Sequence, residues 1–162
     1  MEPNMGRRRG GMPYARVEYI PGAPGIKVSK FKLGSGQYDS GLRMVSHEDV
    51  VVRQEALEAA RVAINSVLQK RLGEGNYVLR VIAYPHVILR RHEFLATAGA
   101  DRLSQGMRRA YGKPASRAAH VSKGGAVFEV HSRAENLSVL REALKRGTYK
   151  LPLKTGVEAI KA

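Results

Sequence analysis

The residues best equipped for chemistry in this 162-residue chain are cations, and they cluster. From Gly99 to Arg117 the chain carries Arg102, Arg108, Arg109, Lys113 and Arg117 among Gly, Ala and Ser, with almost no large apolar anchor. Such a stretch cannot bury itself, so it is expected to be a mobile loop until an anion orders it. Gln105 and Met107 lie within reach of the same anion, where they could touch a base or a ribose 2′-hydroxyl. A second cluster opens the chain: Arg7, Arg8 and Arg9 stand among glycines, followed by Tyr14 and Arg16. Glycine lets a backbone approach a phosphate closely, and a tyrosine ring can stack on an unpaired base. Lys27, Lys30 and Lys32 form a third, looser group. They fit either phosphate contact or the protection of an edge strand by lysines. The plainer alternatives for the first two clusters are a solvated loop and a solubilising terminus.

Other chemistry finds little support. The five histidines, His47, His86, His92, His120 and His131, lack the spacing of a metal motif. Gly112-Lys113-Pro114 is like a phosphate-binding loop only superficially, because Pro stands where Ser or Thr is needed. Ser35 has no recognisable partner base, and Glu129 and Glu135 are lone carboxylates. No enzyme, metal site, cofactor or small-molecule substrate is expected.

The charge balance points the same way. Lys and Arg total 28 against 14 Asp and Glu, a net of +14. Residues 1–44 carry eight Lys and Arg against three acids, and residues 101–123 carry six against one, whereas residues 45–75 carry four against five. Two basic segments on a nearly neutral centre suit a protein that clamps a polyanion, and structured RNA is the polyanion favoured here. No apolar run approaches the length of a membrane span, and residues 1–11 lack the apolar stretch of a secretory signal. There is no Cys, which suits a cytosolic protein.

The elements that must position these cations follow from periodicity and punctuation. Residues 1–25, rich in Gly, Pro and Arg, are expected to be an extended basic arm. Residues 26–162 are expected to be a single α+β domain carrying the loop at 99–117. Ile26 to Leu33 reads as a strand with a bulge near Ser29-Lys30, and Gly41 to Val45 as another. Ser46 and Asp49 have capping-box spacing before a helix expected over 47–71, with Leu57, Ala60, Ile64, Val67 and Leu68 on its apolar face. Tyr77 to Ala83 and Val87 to Arg91 read as strand, turn and returning strand. A short helix is expected near Asp101 to Arg109. Ala118 to Lys123 and Ala126 to Val130 read as a hairpin turning at Gly124-Gly125. Ser132 and Glu135 have capping spacing before a second helix, with Leu137, Leu140 and Leu144, ended by Gly147. The tail from Thr148 reads as short and partly frayed.

The run Gly99-Ala100-Asp101-Arg102-Leu103-Ser104-Gln105-Gly106-Met107-Arg108-Arg109-Ala110-Tyr111-Gly112-Lys113-Pro114 closely resembles the signature of ribosomal protein L-ten-e, the archaeal and eukaryotic branch of the universal L-sixteen family. Arg7-Arg8-Arg9, Pro13-Tyr14 and Pro21 to Lys27 resemble the N-terminal region of the same family. The resemblance covers nearly the whole chain. It implies an α/β-hammerhead type of fold, with a mainly antiparallel sheet and two packed helices. It implies binding to large-subunit ribosomal RNA near the aminoacyl-tRNA site and peptidyl transferase centre. The loop from Asp101 to Arg117 would then project toward the acceptor end of tRNA, with neighbouring large-subunit proteins as further partners. The absence of a long extension after Ala162 is expected of an archaeal-type member. An RNA-modifying enzyme and a sequence-blind DNA-coating protein are the competing readings.

Overall fold

A computed structural model of the chain describes residues 20–91 and 112–161. Arg7, Arg8, Arg9, Tyr14, Arg16, Arg102, Gln105, Met107, Arg108 and Arg109 lie outside the described residues, as does the helix expected near Asp101 to Arg109.

Strands β1 (Lys32–Leu33), β2 (Ser40–Ser46) and β3 (Val50–Arg53) precede helix α1 (Gln54–Leu72). Strands β4 (Tyr77–Val81), β5 (Val87–Arg91), β6 (Lys113–Val121) and β7 (Ala126–Ser132) follow. A 3₁₀ turn at Ala134–Asn136, helix α2 (Leu137–Thr148) and strand β8 (Thr155–Lys161) complete the order. The strands form two antiparallel sheets, one in the order β1-β4-β7-β2-β8 and one in the order β3-β6-β5. The class is α+β, as expected, with two helices among the described residues.

Both helices lie against the larger sheet. They run antiparallel, since Arg71 of α1 meets Glu142 of α2 while Ile64, two turns earlier in α1, meets Gly147, five residues later in α2. Leu57, Ala60, Ile64 and Leu68 of α1 are fully buried, at the 3.6-residue spacing seen in the sequence. They share a core with Leu140, Ala143 and Leu144 of α2 and with Met44, Leu79, Phe128 and Val130 of the sheet. A smaller cluster of Val51, Val87 and Ala118 sits on the three-stranded sheet. Burial of each such side chain is worth roughly 1.5–3 kcal/mol, so the fold rests chiefly on this aliphatic interior.

Several local expectations give way to the tertiary structure. The helix opens at Gln54 rather than near residue 47, because Val50-Val51-Val52 is taken by β3 and buried. A β-branched run fits a pleated, covered strand better than a helical turn. Ser46 ends β2 instead of capping a helix; its hydroxyl donates to Glu48 O at 2.6 Å and accepts from Glu48 N–H at 3.2 Å. Asp49 accepts from Lys123 N–H at 2.7 Å. Ser132 is likewise no cap, since its hydroxyl donates to Asn76 O at 2.8 Å from within β7.

Neither expected hairpin forms. β4 and β5 belong to different sheets, and so do β6 and β7. At Tyr84-Pro85-His86 the chain crosses between sheets. At Gly124-Gly125 it does so again, with Gly124 at φ +79° and its N–H donating to Ser46 O at 2.7 Å. A glycine pair signals a tight turn but does not dictate that the flanking strands pair with each other. The tail is not frayed. β8 pairs with β2 over seven registered positions, from Ser40 opposite Lys161 to Ser46 opposite Thr155.

Candidate nucleic-acid interface

The segment from Pro24 to Phe31 is tied to the core by polar side chains rather than by strand pairing. Of Ile26 to Leu33 only Lys32–Leu33 is strand, so the bulge expected near Ser29-Lys30 is absent. Instead Lys27 N–H donates to the buried amide oxygen of Gln54 at 3.0 Å. The Lys27 ammonium reaches Glu55 at 3.3 Å. Ser29 donates to Glu58 through both N–H and hydroxyl, at 3.3 and 2.9 Å. Arg61, buried along its stem, closes this second group with bonds to Glu58 at 2.6 and 2.8 Å and to Ser29 at 2.9 Å. α1 supplies Gln54, Glu55, Glu58 and Arg61 from successive turns of one face, which is why a single helix can hold an extended segment along its length.

These contacts tune the carboxylates. The Arg61 hydrogen bonds hold Glu58 below the ordinary carboxylate value, against the opposing effect of burial and with help from Ser29. Burial alone would raise Glu55. Bonds from Ser116, its own N–H and Lys27, with the charge of Arg53, outweigh it and hold this carboxyl low too. Both acids stay ionised and engaged as anchors for cations.

β6 joins the same group. Ser116 donates to Glu55 at 2.8 Å and accepts from Gln54 Nε2 at 3.4 Å. Arg117 donates from Nε to Pro24 O at 2.6 Å. Lys113 to Arg117, expected as the end of the basic loop, is therefore strand, and Arg117 fastens Pro24 through that nitrogen. Lys113 stands opposite Arg91, and Pro114 opposite Arg90, so the stretch 92–111 leaves from a strand pair flanked by three cations. The sequence reading passed over Arg90 and Arg91. Their place at the end of a strand running into the basic stretch was the available signal.

Lys30 and Lys32 are exposed beside this root. Lys32 stands opposite Arg80 across the β1–β4 pair. Phe31 stacks on Tyr84 with ring centres 5.4 Å apart, and Tyr84 remains 51% exposed. Arg80 and Tyr84 were also missed, although Arg80 is the one charged residue in the β4 sequence. Lys27 is held by Glu55 and contributes less free charge than Lys30 or Lys32. Among the described residues no three His, Asp or Glu gather as metal ligands. His120 lies on β6 and His131 on β7, in different sheets.

The structure is a basic α+β domain in which Arg117 of β6 fastens the segment that precedes β1. The family model for "Ribosomal protein L16p/L10e" matches residues 10–158. The chain is 47% identical over 152 residues to the large ribosomal subunit protein uL16 of Hyperthermus butylicus, covering 93% of this chain and 84% of the relative. It is 45% identical over 152 residues to the protein of the same name from Archaeoglobus fulgidus, covering 93% and 87%. It is 48% identical over 145 residues to that of Staphylothermus marinus, covering 88% and 83%. The chain belongs to the ribosomal L16/L10e family and is of the archaeal type. It is a structural ribosomal protein, ribosome-associated in the cytoplasm, and not an enzyme.

Proposed function

We propose that this protein binds large-subunit ribosomal RNA near the aminoacyl-tRNA site and peptidyl transferase centre. There it supports tRNA positioning, while the RNA performs the chemistry. One observation carries the reading: Arg117 bonds Pro24, so the roots of both basic segments are fastened together. Cations spaced along the two segments then converge on one RNA surface rather than acting as separate tethers. Arg7, Arg8, Arg9, Arg16, Arg102, Arg108, Arg109 and Lys113 supply phosphate contacts, with Lys27, Lys30 and Lys32 at the root. Arg117 adds charge there through the donors that Pro24 does not take. Tyr14, Gln105 and Met107 supply base and ribose contacts. The 99–117 segment reaches toward the acceptor end of tRNA, and neighbouring large-subunit proteins complete the partners.

The test is assembly. The protein should co-sediment with large subunits through a moderate-salt wash, and finding it only in the free fraction would overturn the reading. Replacing Arg108 and Arg109 with Ala should weaken retention and leave the melting temperature unchanged, because that stretch carries few apolar anchors. Displacement of structured RNA by duplex DNA at equal salt would favour the DNA-coating alternative instead.

A further inference from the structure

The helix pair carries a second basic feature that none of the segments above explains. A shallow groove of about 520 Å³ runs past Arg53 of β3 and Ala56 of α1 to Tyr149 and Lys150. It continues into one of about 460 Å³ between the helices, lined by Lys70 and Arg71 of α1, Arg146 of α2, and again Tyr149 and Lys150. The two share Tyr149 and Lys150, so they adjoin at that turn as a channel in two parts beside the antiparallel helix pair.

Its charge is one-sided. Five cations, Arg53, Lys70, Arg71, Arg146 and Lys150, line it with two carboxylates; Arg53 pairs with Glu55 at 3.3 Å and Arg71 with Glu142, so the excess lies at Lys70, Arg146 and Lys150. Glu55 holds Ser116 and Lys27, and Glu142 lies 4.0 Å from Arg71. Cations at helix C-termini also offset the helix dipole, which accounts for Lys70, Arg71 and Arg146 without any ligand. It does not account for Tyr149. That ring is 72% exposed, the most open of the large apolar side chains on the described surface. Nor is it on a loose turn. Lys150 N–H donates to Gly147 O at 3.0 Å and Leu151 N–H to Thr148 O at 3.1 Å. Leu151 and Leu153 immediately beyond are buried in the main core. An aromatic ring held out into water by a pinned turn, with cations on both sides, is the arrangement that stacks a base and follows its phosphates.

We propose that this channel binds a single-stranded segment of RNA, with one unpaired base stacked on Tyr149 and the flanking phosphates on Lys150, Arg146 and Lys70. The inference rests on the ribosomal RNA reading and adds a second contact area to it. Arg53 and Glu55 link the channel to Lys27, so it runs from the arm's root and one RNA surface can engage both.

The experiment measures binding of the full chain to a short labelled oligoadenylate across a salt series. Tyr149→Ala should weaken binding about tenfold, while Tyr149→Phe should bind like the parent, since stacking needs the ring and not the hydroxyl. Reversing Lys70, Arg146 and Lys150 to Glu should lower the steepness of log affinity against log salt by about 2. Melting curves confirm that each variant is folded. An Arg108→Ala, Arg109→Ala variant runs beside them. If that variant weakens and the channel variants do not, the channel inference falls and the ribosomal reading stands. If no variant weakens, both fall. Should the channel variants keep RNA affinity yet lose a cross-link to a neighbouring protein in assembled subunits, the channel binds protein and the inference is overturned.

Discussion

Glu58 shows how a residue that contacts no ligand can govern the geometry of a binding surface. It holds Ser29 of the arm's root and Arg61 of its own helix at once. Its folded pKa lies below the ordinary 4.5, so its stabilising effect is complete above about that pH and is lost as pH falls through the folded value. Glu58→Gln should cost about 1–3 kcal/mol at neutral pH, because Arg61 keeps its burial and loses its charged partner. Chemical denaturation followed from pH 7 downward should show the parent losing stability on acidification and the variant losing less, so that the two curves converge in acid. Parallel curves would show that Glu58 is not the group that titrates. Sequence reading could not find this residue's role. Glu58 and Arg61 were visible as helix-surface charges three apart, but Ser29 comes 29 positions earlier, and nothing local announces so distant a partner.

Among the elements, the helices were the most legible and the strand partners the least. The apolar stripes of α1 and α2 depend on spacing within one segment, and Leu57, Ile64, Leu140 and Leu144 are buried as their periodicity requires, whereas Val67 is half-buried and Leu137, the first residue of α2, stays exposed. Strand pairing is set between segments. The turn at Gly124-Gly125 was correctly placed, yet β7 pairs with β2 and β4, which the turn residues cannot specify. Val50-Val51-Val52 could be added to a helical pattern by spacing alone, and only the partner strand β6 reveals it as β3. Of the proposed interface, the basic segments could be read from composition, while Arg80, Tyr84 and Tyr149 acquired meaning only from the fold. Gly147 is a related case. It was read as a helix terminator, but it lies inside α2, where a Cβ would come within 2.6 Å of Ile64 Cδ1 and Cγ1. Glycine there sets how closely the helices approach. Gly147→Ala should destabilise the protein by about 1–2 kcal/mol, the overpacking cost exceeding the roughly 1 kcal/mol gain in helix propensity. An unchanged or raised melting temperature would show that Ile64 can move aside.

For the whole molecule, the separation of charge makes a quantitative demand. If about eight cations of the two basic segments meet phosphates, log affinity for ribosomal RNA should fall against log salt with a slope of roughly −5 to −7. A slope near −1 would mean that the net charge of +14 acts mainly as a diffuse field, with few phosphates actually neutralised. The nearly neutral centre matters to this outcome, because cations already paired within the protein release no counterions from RNA. Arg61, buried and committed to Glu58, belongs in that silent group.

The position of β2 has a kinetic consequence. It is flanked by β7 and β8, whose residues lie about 80 to 120 positions further along the chain, so neither neighbour exists when β2 first leaves a translating ribosome. The edge that pairs with β7 must wait in water until α1 and both crossovers are made, and the edge that pairs with β8 until α2 is made as well. Refolding should accordingly be limited by the docking of this strand. Amide protection in β2 should appear after the helical signal has already recovered.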